Sequence, residues 1–174
     1  MSDDLRYPVG KFQWPPVVTA EDRARYIKEI EQTPARLSDA VAGLTDEQLA
    51  TPYRPGGWTV AQVVHHVPDS HMNSYIRFRL ALTETNPVIK PYDEAAWAEL
   101  GDKTGPINTS LCLLDCLHKR WVLMLRAMTE EDWKRSFVHP EMGPVPLENN
   151  LALYAWHGAH HVGHIEALRR REGW

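Results

Sequence analysis

An all-α fold, a four-helix bundle, is predicted by three features of this 174-residue chain. Apolar residues recur at spacings of three and four over four long stretches. Threonine followed three residues later by an acid or amide, the capping-box pattern, precedes several helical stretches. The connections collect proline and glycine, and neither a strand-rich region nor a glycine-rich phosphate loop competes.

Residues 1–18 hold Tyr7-Pro8 and Trp14-Pro15-Pro16, which favour an extended arm over a helix. Thr19 with Asp22 caps a first helix, carried by Tyr26, Ile27, Ile30, Leu37, Val41 and Leu44, with a kink expected at Pro34. Thr45 with Gln48 starts a short turn to Leu49, and residues 51–57 form a loop. Thr59 with Gln62 opens the second long helix, whose apolar face is Val60, Val63, Val64, Val67, Tyr75, Phe78 and Leu82. Pro68 inside it withholds a donor from the Val64 carbonyl, which predicts a bend or π-like distortion. Residues 83–105 read as a long connection with one short helix over 93–100. Asn108 or Thr109 is expected to cap the third long helix, with a seam of Leu111, Leu114, His118, Trp121, Leu125 and Met128. His118, on that seam, reads as a hydrogen-bonded core histidine rather than a ligand. Thr129 with Asp132 caps a turn holding Trp133, and residues 137–146 form a loop or small hairpin. The fourth long helix spans 147–171, with Arg169, Arg170 and Arg171 at its negative end and Gly173 as its C-terminal cap.

The composition fits one domain, residues 1–174, with 43% apolar and 24% charged residues. The net charge of −4 carries no basic stripe, which argues against a nucleic-acid partner. No apolar run is long enough to span a bilayer, and the N-terminus shows no apolar leader. Cys112 and Cys116 lie one helical turn apart and are expected to be buried, reduced thiols of a cytoplasmic protein.

The chemistry concentrates in residues 154–168, which hold His157, His160, His161 and His164. His157 with His161, and His160 with His164, are two i,i+4 pairs, and either can place two imidazoles on one ion. Gly158 stands where a His-Glu-x-x-His motif carries its glutamate, so this is not that motif. A third ligand has to come from elsewhere, and the cluster His65, His66 and His71 is the best donor. The competing readings are a hydrogen-bonded polar core or a pH-sensitive surface. A cation held by three imidazoles and no carboxylate keeps positions open, as catalytic sites do. It would activate water or a small thiol, and imidazole ligands suit zinc, nickel, copper or iron. No catalytic side chain is identified. Ser70 beside Asp69 and His71 is a weak nucleophile cluster, because helix neighbours diverge. Asp69 could orient an imidazole or simply be solvated near Arg77. Tyr154 and Trp156 could line a pocket or pack in the core, and Glu166 points away from the histidine stripe.

Several longer runs carry a resemblance. Thr51-Pro52-Tyr53-Arg54-Pro55-Gly56-Gly57-Trp58-Thr59-Val60, then Gln62-Val63-Val64-His65-His66 and Asp69-Ser70-His71-Met72-Asn73-Ser74-Tyr75-Ile76-Arg77, closely resemble the YfiT-type branch of the DinB superfamily. So do Tyr7-Pro8-Val9-Gly10, Pro91-Tyr92-Asp93-Glu94, Leu147-Glu148-Asn149 leading to Tyr154, Trp156 and His157, and the terminal Gly173-Trp174. The resemblance implies a four-helix bundle, a cytoplasmic homodimer and one divalent metal per subunit, zinc ahead of nickel. It places the ligands at His66, His157 and His161, leaving His160 and His164 as neighbours. Pro68 departs from the family pattern. The implied activity is metal-dependent hydrolysis, or transfer of bacillithiol or a similar low-molecular-weight thiol to a small electrophilic substrate. A non-catalytic metal-binding or small-ligand-binding module is the reading of a different class.

Overall fold

Local capping signals set most helix boundaries in the computed structural model, which describes residues 5–174. Helix α1 (Ala20–Val41), α2 (Asp46–Leu49) and α3 (Val60–Thr83) each begin at a threonine whose hydroxyl accepts the backbone N–H three residues on. In each, the acid or amide at that third position accepts the threonine's own N–H, completing a capping box. Helix α4 (Glu94–Trp97) follows, capped by Asp93, and then a 3-10 turn over Gly101–Thr104. Helix α5 (Ile107–Ala127) leads to α6 (Glu130–Lys134), which has the Thr129 box, and to a hairpin of β1 (Ser136–His139) and β2 (Gly143–Pro146). The hairpin is antiparallel, with Phe137 opposite Val145, and both residues are buried. Helix α7 (Leu147–Glu172) ends at Gly173, whose left-handed φ of 77° suits glycine.

The four long helices form the bundle. Helix α1 packs on α7 and α5, and α3 packs on α5 and α7, so α1 and α3 sit diagonally across it. Two apolar clusters fill its interior. One gathers Ile27, Ile30, Phe78, Trp121, Leu125, Trp133, Leu147 and Leu151. The other gathers Leu37, Val60, Val63, Val64, Leu114, Val162, Ile165 and Leu168. On every long helix a polar or proline-bearing stretch falls where the clusters meet: Thr33-Pro34, Ser70-His71, His118, and 157–161.

Some expectations change. Helix α1 stops at Val41 rather than near Leu44, where Arg169 donates to the carbonyls of Ala40 and Ala42 and supplies the C-terminal cap. Helix α5 starts at Ile107 with Pro106 before it and no side-chain cap, so neither Asn108 nor Thr109 has that role. The expected helix over 93–100 is shorter, and only its first turn is α-helical. Helix α3 runs as α-helix through Pro68 with no π turn. Cys112 and Cys116 are exposed, not buried. Counted at about 100° per residue, both lie on the side of α5 opposite Leu114.

Pro34 also lies inside continuous α-helix, and it has no N–H to give the carbonyl of Ile30. His118 answers that carbonyl from α5, with Nδ1 2.6 Å from the oxygen. Close approach of α1 to α7 depends on Gly158. A Cβ there would stand 2.6 Å from Thr33 Oγ1, and that hydroxyl is held by a bond to the Glu29 carbonyl. The arm packs along α7: Trp156 Nε1 donates to the Gly10 carbonyl and Asn149 to that of Pro15. Of the expected 1–18 arm, residues 1–4 lie outside the described residues.

Candidate metal centre

Packing of α3 beside α7 brings His66 against His157 and His161. His157 Nε2 lies 3.3 Å from His66 Nε2 and 3.2 Å from His161 Nε2. One ligating atom from each ring lies within 4.8 Å of the other two. Zn–N bonds of about 2.0–2.1 Å in a tetrahedron separate ligand nitrogens by about 3.3–3.4 Å, so two of the three spacings already suit one small cation. The single lone pair of a neutral imidazole nitrogen accepts well from only one of two facing neighbours, whereas a cation satisfies all three nitrogens together. The donor set therefore fits a divalent ion.

Electrostatics points the same way. Burial, with the charge of His160 added, pushes His66 down to about 4. Burial likewise holds His157 and His161 well below the ordinary histidine range. All three rings are thus unprotonated at neutral pH, the form that binds metal.

The remaining histidines have other partners. His65 Nδ1 bonds Ser110 at 2.8 Å, since adjacent helical residues diverge by about 100°. His71 is fully buried behind the cluster, with Nε2 3.1 Å from His157 Nδ1 and Nδ1 2.9 Å from His118 Nε2. His118 is a buried, hydrogen-bonded core histidine, as the seam predicts. His160 and His164 pair with each other at 3.0 Å, against Trp156 and Tyr53.

Ser70 is buried between Tyr154 Oη and His157 Nε2, at 3.4 Å from each, and is not paired with His71 as a nucleophile. Tyr154 packs in the core, Trp156 pins the arm, and Glu166 is exposed. No local spacing marks Tyr92, which lies in the Pro91-Tyr92-Asp93-Glu94 run. Burial pushes its hydroxyl up to about 12.

A cleft of about 290 Å³ opens beside His66, lined also by His65, Asp69, Trp97, Asp102 and Leu113. Burial, with Asp102 nearby, lifts Asp69 to about 6. A larger cleft of about 1050 Å³, between the ends of α1, α3 and α5, contains no histidine or cysteine. The smaller cleft is the one that meets the chemistry.

Comparison with known proteins bears on the fold and the family. The sequence profile of the DinB superfamily matches residues 29–165. A Bacillus cereus (strain B4264) protein named "Putative metal-dependent hydrolase" is 55% identical over 172 residues, 99% of each chain. A Bacillus mycoides (strain KBAB4) protein of the same description is 54% identical over 171 residues, 98% of this chain and 99% of its own. Among solved structures, YfiT from Bacillus subtilis, described as a probable metal-dependent hydrolase with an unusual four-helix bundle topology, superimposes with a TM-score of 0.95. It is 52% identical, with 98% of both chains covered. TT2238, a four-helix bundle protein, shares the fold at a TM-score of 0.56 and 20% identity, over 87% of this chain and 99% of its own. The profile match over most of the chain and these full-length relatives make this chain a member of the DinB superfamily.

Proposed function

We propose that His66, His157 and His161 hold one divalent cation, zinc ahead of nickel, and that the protein is a metal-dependent enzyme acting on small electrophilic molecules. The observation that carries this reading is the convergence of imidazole nitrogens from three histidines on two helices, two of their spacings already suiting one small cation, with no carboxylate among them. Bound there, such an ion supplies Lewis acidity that draws the pKa of a coordinated thiol or water towards neutrality.

The chain's own residues supply the rest. Buried neutral imidazoles keep the donor set ready without competing protons. The 290 Å³ cleft admits a small molecule rather than a polymer, and Trp97 and Leu113 give it apolar lining. Asp69, titrating at about 6, can hold or accept a proton at its edge. We favour transfer of a low-molecular-weight thiol over hydrolysis. Gly158 occupies the position from which a His-Glu-x-x-His helix would aim a general base at water, and a coordinated thiol needs no such base. Hydrolysis by activated water is the second reading, supported by the descriptions of the relatives.

The test begins with elemental analysis of the purified chain. Zinc-loaded protein is then assayed for loss of a model electrophile with and without a small thiol. Thiol-dependent turnover abolished by His66→Ala supports transfer. Turnover of an ester or amide without thiol supports hydrolysis. Bound metal with no rate in either assay reduces the protein to a binding module.

A further inference from the structure

The orientation of His157 leads back to α1. The Ile30 carbonyl can only accept, and Pro34 denies it the usual helical donor. His118 Nδ1, 2.6 Å away, must therefore carry its hydrogen. In a neutral ring that leaves His118 Nε2 as an acceptor, and His71 Nδ1 meets it at 2.9 Å. The same logic repeats once more. His71 Nδ1 is the donor, His71 Nε2 is the acceptor, and His157 Nδ1 meets it at 3.1 Å. His157 is left with its hydrogen on Nδ1 and a lone pair on Nε2, the atom facing His66 and His161. His71 is 0% and His118 1% exposed, so the sequence of donors runs through a layer shielded from solvent.

We propose that His118 and His71 are positioning residues that fix the tautomer and ring orientation of His157 by relaying a single hydrogen-bond direction from the Ile30 carbonyl. This rests on the metal-site reading of His66, His157 and His161. The carbonyl is polarised by the backbone and cannot reverse its role, so the relay has one allowed direction. A partner on the far nitrogen of a ligating histidine also raises its basicity, and loss of such partners typically lowers metal affinity about 10- to 100-fold.

The test reads tautomers in the metal-free chain, labelled with nitrogen-15 in its histidine rings, by long-range proton–nitrogen correlation at neutral pH. His118, His71 and His157 are all expected to be neutral with hydrogen on Nδ1. A His157 ring protonated on Nε2 instead overturns the relay and leaves the metal reading standing. The expected tautomers in a chain that binds no zinc overturn the metal reading and leave the relay. His118→Phe should scramble the tautomer of His71 and lower zinc affinity about tenfold. His118→Gln, whose amide oxygen can still accept from His71, should restore the His71 signature and most of the affinity. Unchanged tautomers and affinity in folded His118→Phe would also overturn the proposal.

Discussion

Helix α7 carries two histidine pairs with identical spacing and different fates. His157 and His161 face α3, where His66 closes the cluster. His160 and His164 begin three residues later, which turns them about 60° around the helix axis. There they meet Tyr53 from the loop before α3 and Trp156 from the preceding turn, and no third imidazole nitrogen joins them among the described residues. The pairs also differ in what stands behind them. His157 Nδ1 has a buried partner in His71, whereas His160 Nδ1 has none among the described residues. Spacing on one helix is therefore insufficient to make a site. The facing helix decides, and in the first pair only His157 is backed by a ring, since His161 Nδ1, like His160 Nδ1, has no partner among the described residues.

The largest expected effect separates the pairs. His157→Ala removes a converging nitrogen and the end of the relay, and should lower zinc affinity at least about 100-fold by competition with a chromophoric chelator. A loss no greater than that of His164→Ala would erase the distinction.

Acid should then destabilise the metal-free chain through both groups of buried rings. Burial pushes His118 down to about 4, and burial with the charge of His160 pushes His164 down to about 3. Unfolded, both titrate near 6.5. Between these values the unfolded chain binds more protons, so this contribution to stability is whole above about pH 6.5 and is lost as pH falls towards the folded values. For His118 alone the loss approaches about 3 kcal/mol. Denaturant midpoints measured from pH 7.5 to 4.5 should fall steadily, and a flat profile would show that these rings are not desolvated.

Gly158→Ala tests the helix contact that seats the first pair. The new methyl meets Thr33, whose hydroxyl is engaged, and overpacking of this kind costs about 1–3 kcal/mol, partly offset by the better helix propensity of alanine. Gly163→Ala makes the matching comparison. Its methyl meets Val9 and Pro8 of the arm, which can yield, so its denaturant midpoint should stay close to that of the parent chain. Equal destabilisation would mean that the arm is as rigid as α1.

The smallest expected effect is that of His164→Gln on zinc affinity, a change below about threefold in the same competition assay. A large loss would bring the second pair into the site.

Much of this was legible in residues a few positions apart. Thr19, Thr45, Thr59 and Thr129 marked helix starts because a capping box closes within four residues. The seam through Leu114, His118, Trp121 and Leu125 marked a buried face for the same local reason. The same helical count places Cys112 and Cys116 on the outer face, against the expected burial. The start of α5 was misplaced because Asn108 and Thr109 resemble caps while Pro106 takes the position before the first turn. Within the four histidines of α7, spacing left two equal pairs, and family resemblance singled out His157 and His161, the pair that the fold sets beside His66.

By itself the sequence determined the long helices, the threonine caps and the crowding of imidazoles on α7, because those depend on neighbours within one or two turns. Only the tertiary structure decided which rings meet and which atom of each faces inward. The contacts from Ile30 to His118, from His118 to His71 and from His71 to His157 join residues 88, 47 and 86 positions apart. No local pattern encodes such contacts. They exist because a carbonyl left without its helical donor must find one across the bundle, and a buried polar group without a partner costs more free energy than ordering the rings that satisfy it.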